Sequence, residues 1–138
     1  MSHPYFHIYD YSVTTKRSES GVSESQASID LRVGAERAQH SAAGVGPVHA
    51  LERALRSCLL NEYPEVESLR LCDYSVAVVD AELGTAASVR VIIRATDGFS
   101  SWDAGAVSQN VIDASFEALC SATIMGILRV RGGAKQPA

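Results

Sequence analysis

The chain is poor in the groups that do chemistry. Its three cysteines, Cys58, Cys72 and Cys120, are odd in number, widely spaced and free of any CxxC. That excludes a disulfide framework and reads as reduced core thiols in a cytoplasmic protein. Four histidines, His3, His7, His40 and His49, form no HxH and have no Asp or Glu partner at ligand spacing, so no metal centre is expected. There is no GxSxG, no glycine loop ending in Lys-Ser/Thr, and no Rossmann glycine spacing, which removes the familiar hydrolase and nucleotide signatures. Asp103 and Asp113 are the nearest thing to a carboxylate pair, and nothing in the sequence brings them together. No run approaches the roughly 20 apolar residues of a membrane span. The start, Met1-Ser2-His3-Pro4, lacks the basic and then apolar segments of a signal peptide. The net charge is -4 and the 12 basic residues are scattered, whereas a nucleic-acid binder gathers them into a stripe. Neither a membrane nor a nucleic-acid partner is expected.

What the chain does have is a repeat. Asp10-Tyr11-Ser12-Val13 returns as Asp73-Tyr74-Ser75-Val76. After the first copy comes the stretch 27–33, after the second the stretch 87–93, both alternating apolar with polar. Each copy then reaches a glycine-containing turn, 44–47 or 105–108, and a helix-like segment. Ala50, Ala54 and Leu55 match Ala114, Ala118 and Leu119 at a constant spacing. The same elements in the same order point to an internal duplication.

Periodicity supplies the elements. Residues 5–15 and 69–80 are rich in aromatic and β-branched residues and read as strands. In 27–33, Ala27, Ile29, Leu31 and Val33 oppose Ser28, Asp30 and Arg32. In 87–93, Ala87, Val89, Val91 and Ile93 oppose Ser88 and Arg90, as in sheets with one covered face. A weaker third strand is expected near 37–42 and near 99–104. Pro47 suits the first position of a helix that must stop before Pro64. Val48, Leu51, Leu55, Cys58 and Leu59 share its apolar face. The second helix is expected from a Ser108 cap to about Leu128, apolar on two sides, with Ile112, Phe116, Leu119 and Thr123 on one and Val111, Ala114, Ala118, Ala122 and Met125 on the other. The fold class is therefore α+β: two pseudo-symmetric βββα units, internally duplicated, each helix packed on its sheet. The units are placed at 5–64 and 69–130 of one domain, 5–130. Residues 16–25 and 81–86 are read as the loops joining the first two strands of each unit, and 1–4 and 131–138 as loose termini.

One segment carries a mechanism. In Gly44-Val45-Gly46-Pro47-Val48-His49, glycines precede a helix start, where backbone N–H groups and the helix dipole suit a carboxylate or phosphate. A tight turn with no further role explains the same spacing equally well.

These residues resemble a known family. Gly44-x-Gly46-Pro47-Val48, Ala50-Leu51, Asp73-Tyr74-x-Val76, Gly84-Thr85-x-Ala87 and Val107-Ser108-x-Asn110-Val111-Ile112-x-Ala114-Ser115, in that order, are similar to the C-terminal dimerisation and regulatory domain of 2-isopropylmalate synthases. Asp97-Gly98, Trp102 and the run 105–110 are more similar to the citramalate synthase branch. The resemblance covers about residues 5 to 129. It implies a homodimer that binds leucine or isoleucine as effector and passes that occupancy, as feedback inhibition, to a (β/α)8 synthase catalytic domain in cis or in trans. No cofactor is implied for this chain, and the acetyl-CoA-dependent acyl transfer belongs to the absent catalytic part. By motif, the effector's polar end is expected at Gly44, Gly46, Val48 and His49. Its side chain is expected near Leu71, Tyr74, Val78 and Val89, with Ser108 and Asn110 closing the site. Val45 stands where the family usually has Asn, and His49 where it usually has Asp. A carboxylate for the effector's ammonium is thus missing there, and a structural dimerisation module with a degenerate site is the alternative reading. A small stand-alone enzyme would need a titratable cluster, and the sequence offers none.

Overall fold

The computed structural model describes residues 2–132. The chain divides into two compact units, Met1–Glu67 and Ser68–Ala138. The first runs β1 (Phe6–Arg17), β2 (Ser23–Val33), β3 (Glu36–Gly44), α1 (Pro47–Leu59) and a 3₁₀ turn (Pro64–Ser68). The second runs β4 (Arg70–Val78), a 3₁₀ segment (Ala81–Ala86), β5 (Val89–Thr96), β6 (Ser101–Ser108) and α2 (Val111–Arg131). Each sheet is a three-stranded antiparallel meander, so the βββα order appears twice within an α+β fold.

The expected alternation holds in β2, where Ala27, Ile29, Leu31 and Val33 are all buried. They lie beneath α1, which packs on β2 and β3 through Ala50, Leu51, Ala54, Leu55, Cys58 and Leu59. Asp30, expected on the wet face, is also buried, because Arg37 reaches across from β3 and donates two hydrogen bonds to its carboxylate (2.9 and 2.7 Å). That guanidinium holds the Asp30 carboxyl below the usual carboxylate range. It also lies over the Tyr9 ring, 4.5 Å from its centroid.

Register corrects the expected correspondence between the copies. Tyr11 pairs with Ile29 and Tyr74 with Ile93, so 27–33 answers to 91–97 and not to 87–93. The slip arises in the connections. The hairpin at 16–25 is half strand, leaving 18–22 as loop, while β4 stops at Val78 and the chain detours through a 3₁₀ segment kinked at Gly84. The expected turn at 105–108 is likewise the end of β6. It pairs with β5 down to Val89↔Ser108, which makes Ser108 the counterpart of Gly44.

Both first strands carry a β-bulge at the same place, between Ile8 and Asp10 and between Leu71 and Asp73. The additional residues are Tyr9 and Cys72. A bulge lets residues three apart share a face, and it brings Leu71 with Tyr74, and Ile8 with Tyr11, onto the helix side.

Cys58 and Cys120 are buried as expected, and burial raises both thiols, Cys58 to about 11. Cys72, on an edge strand at the bulge, is exposed, which corrects its reading as a core thiol. A disulfide reagent applied to the folded chain should label Cys72 alone and rapidly, with the other two thiols reacting only on unfolding. Fast modification of more than one thiol, counted by intact mass, would contradict this packing.

Three further expectations change. Ser2 forms a bridge with His7, and the His3 amide donates to the Phe6 carbonyl, so the start of the chain is tied down. At the other end Arg131 closes α2, and 133–138 lie outside the described residues. Finally, α2 is long and apolar enough by length and composition to cross a membrane, contrary to the expectation that no run is. Half of that apolar stretch is buried within the protein, as in a core helix. Its buried positions include Ala114, Phe116, Ala118, Leu119, Cys120, Ala122 and Ile127, whereas Met125 and Val111, assigned to the second apolar side, are exposed.

Candidate functional site

The ten expected site residues divide between the units. Gly44, Gly46, Val48 and His49 lie in the first, at the junction of β3 and α1. The two glycines do different work. A Cβ on Gly44 would sit 2.5 Å from the Ala50 amide nitrogen and 2.9 Å from its Cα, so only glycine lets the strand end this close to the helix. A Cβ on Gly46 would meet nothing within 4 Å. Gly46 is the N-cap of α1, extended and without a side-chain cap, and no acidic residue occupies the first turn. Pro47 has no N–H, so Val48 and His49 carry the first amides of this helix start. Val45 is almost fully solvent-exposed, and its amide donates to Nδ1 of His49 (3.1 Å). Nδ1 is thus an acceptor and the ring proton belongs on Nε2.

The corresponding start of α2 is satisfied internally. Asn110, and not Ser108, is its N-cap: the side-chain oxygen accepts from the amides of Ile112 (2.9 Å) and Asp113 (3.1 Å). Asp113 adds negative charge in the first turn, where the helix dipole favours it. The Ser108 hydroxyl accepts from the Asn110 amide (3.0 Å). Ser108 and Asn110 are therefore brought together, with their oxygens engaged in holding the helix start.

The four apolar residues expected around an aliphatic tail share one face. Leu71, Tyr74 and Val78 lie on the helix side of β4, and Val78 pairs with Val89, which pairs with Ser108. One rung across the sheet thus reads Val78, Val89, Ser108. The matching rung of the first unit, Thr15, Ser25, Gly44, is polar, with Thr15 and Ser25 hydroxyls 2.8 Å apart. α2 packs over β5 and β6 and leaves β4 open, tied mainly through the Tyr74 hydroxyl, 2.9 Å from that of Ser115. As a result Tyr74, Val76 and Val78 remain 42%, 44% and 58% exposed on a face that would otherwise be core. Val76, part of the repeated motif but not among the expected site residues, lies between two residues that are. The period-2 pattern from Tyr74 to Val78 contains the signal.

Among the described residues no group of three His, Cys, Asp or Glu side chains is placed to hold a metal ion. Asp103 is paired with Arg94 (2.8 and 3.2 Å), which lowers its pKa, and sits on the sheet face opposite α2.

Comparison with known proteins gives a consistent set of likenesses. The family model described as LeuA allosteric (dimerisation) domain matches residues 2–126. An (R)-citramalate synthase of Aquifex aeolicus is 37% identical over 126 residues, 91% of this chain and 24% of that protein. One of Geobacter sulfurreducens is 42% identical over 107 residues, 78% of this chain and 20% of that protein. One of Streptomyces coelicolor is 38% identical over 125 residues, covering 91% and 23%. The chain thus spans between a fifth and a quarter of the length of these relatives.

Proposed function

Because the chain belongs to the LeuA allosteric (dimerisation) domain family, we propose that it is the regulatory and dimerising part of a citramalate synthase-like acyltransferase, binding leucine or isoleucine as a feedback effector. The acetyl-CoA-dependent condensation is assigned to a (β/α)8 catalytic domain elsewhere, and the chain works as a homodimer. The observation that carries this reading is the uncovered apolar face of β4, with Tyr74, Val76 and Val78 left exposed beside Val89. An aliphatic side chain or a second copy of the chain removes that face from water, a gain of about 25 cal/mol per Å². The open start of α1 at Gly46, Val48 and His49 supplies amides for a carboxylate.

At about ten times its Kd, an effector that binds only the folded state stabilises it by about 1.4 kcal/mol, a rise of about 4 °C in melting temperature for a chain of this size. Leucine or isoleucine should give that rise in a thermal-shift experiment, and Val78→Asp should abolish it while leaving the unliganded melting temperature nearly unchanged. A well-folded dimer that responds to no branched-chain amino acid would overturn effector binding.

A second reading, dimerisation without sensing, is favoured by one contact. Nδ1 of His49 already takes the Val45 amide, so the loop satisfies part of its own hydrogen bonding, and no carboxylate stands there for an ammonium group. Under this reading the native chain is silent and His49→Asp gains a thermal response.

A further inference from the structure

The start of α1 is held by a side chain that can change its charge. His49 reaches back from the first turn and accepts the Val45 amide proton on Nδ1 at 3.1 Å. The arrangement is that of a capping box, in which a Glu or Gln of the first turn accepts an amide at the helix start. It differs in the acceptor. A Gln oxygen accepts at every pH, whereas imidazole accepts only while one ring nitrogen carries no proton. Among the described residues the Val45 amide is the one polar partner of this ring, and His49 is open to solvent.

The charges around His49 give a protonated ring no support. Gly46 caps α1 without a side chain and no acidic residue occupies the first turn, so an imidazolium there stands at the positive end of the helix dipole. One turn on, Arg53 adds a second cation, fixed by donating from Nη1 to the Ala43 carbonyl at 2.8 Å. Glu52 is held by Arg56 at 2.9 Å. Arg53 and Arg56 line a groove with Glu67, from the 3₁₀ turn, and Leu60, which caps the other end of α1. On β3 the nearest titratable group is His40, with Glu36 and Arg37 at the far end of the strand. On β1 and β2, Lys16 and Glu24 stand opposite each other, one rung beyond Thr15, Ser25 and Gly44, and Asp30 is bound to Arg37.

The fold does not demand this device. Sixty-four residues on, Asp113 stands where His49 does, and Asn110 where Gly46 does. There the Asn110 side-chain oxygen takes the amides of Ile112 and Asp113, and an amide side chain carries no titrating proton. The two copies thus hold their helix starts by different chemistry.

We propose that His49 is a proton-operated latch on the loop 44–47. With Nδ1 unprotonated, the ring holds the Val45 amide and closes the loop on the first turn of α1. When Nδ1 takes a proton from solvent, the acceptor becomes a second donor and the bond cannot form. The helix dipole and Arg53 then turn the ring outward. The loop is closed at the upper end of the range in which histidine changes charge, about pH 5 to 8, and released at the lower end. The latch acts whether or not the loop receives an effector, so its test needs no ligand.

The test is NMR of the intact chain between about pH 8 and about pH 5. At the upper pH a scalar coupling carried by the hydrogen bond should join the Val45 amide nitrogen to His49 Nδ1. It should vanish as the His49 ring titrates, and protection of the Val45 amide against hydrogen exchange, corrected for the intrinsic rate, should fall about three- to tenfold. The amides of Ile112 and Asp113 should keep theirs. In His49→Gln the Val45 amide should stay protected throughout, and in His49→Ala it should be unprotected throughout. His40→Gln should leave the response of Val45 intact, which assigns the response to His49. The proposal is overturned if the unaltered chain shows no coupling at the upper pH, if the coupling survives titration of the ring, or if the Val45 response persists in His49→Gln.

Discussion

Replacing Gly44 with alanine is expected to destabilise the first unit by about 3 kcal/mol, lowering the melting temperature by about 10 °C. The same change at Gly46 should cost less than about 1 kcal/mol. The two glycines are one residue apart in the same motif, and their difference is geometric. The methyl group at Gly44 would collide with the backbone of Ala50, which α1 fixes through its own hydrogen bonds, including Ala50 N–H to Gly46 (3.0 Å). A flexible side chain yields to such a contact, and a helix backbone does not. At Gly46 the new methyl enters open space, and its φ of -155° is available to any residue. Alanine is a poorer N-cap than glycine, and that loss is partly offset by a less flexible unfolded chain. The effect at Gly46 should fall on binding: a methyl there stands where a ligand carboxylate would approach the loop. Urea melts of the two variants, with and without branched-chain amino acids, separate these roles. Equal stabilities for Gly44→Ala and Gly46→Ala would mean the junction is far looser than described.

The second large effect is expected at Trp102. Trp102→Ala should cost about 3–5 kcal/mol, the range for large aromatic truncations in a core. The indole is buried in the second unit, with its Nε1–H donating to the Ala122 carbonyl at 2.9 Å. Arg129 lies over the ring, 4.8 Å from its centroid. α2 approaches this closely because Gly126 has no side chain; a Cβ there would lie 3.1 Å from the indole and 2.7 Å from Leu69. Trp102→Phe keeps a ring but loses the N–H donor, and should cost about 1 kcal/mol. Denaturation followed by circular dichroism measures both. A Phe variant as damaged as the Ala variant would place the stability in the hydrogen bond and not in the packed area.

The repeated Asp-Tyr-Ser-Val, the alternation of β2 and Pro47 at the start of α1 made the βββα order readable from composition and period. Three things were not. The bulges at Tyr9 and Cys72 are invisible to a period-2 reading, because the inserted residue obeys the polarity of neither face. The copies drift out of register since one connection is a hairpin and the other a 3₁₀ detour, and a string match cannot see which residues pair. Ser108 and Asn110 are both good caps, and only the length of β6 decides between them. At the site, the sequence named residues on both units, yet it could not say that Gly44 is demanded by packing while Gly46 is not. The groove that Arg53 and Arg56 line with Glu67 depends on where the 3₁₀ turn lies beside α1, which no local pattern specifies.

The two cross-strand ion pairs have a consequence for how the chain finds its fold. A duplicated sequence risks pairing a strand of one copy with a strand of the other, a known failure of repeat proteins. Here the middle strands carry opposite charges at matching positions, Asp30 bound to Arg37 and Arg94 bound to Asp103. Were β2 to pair with β6, Asp30 would face Asp103; were β5 to pair with β3, Arg94 would come up beside Arg37. Like charges across a ladder repel, so the inverted polarity penalises both hybrid sheets. A chain written twice is in this way told which half is which while it folds.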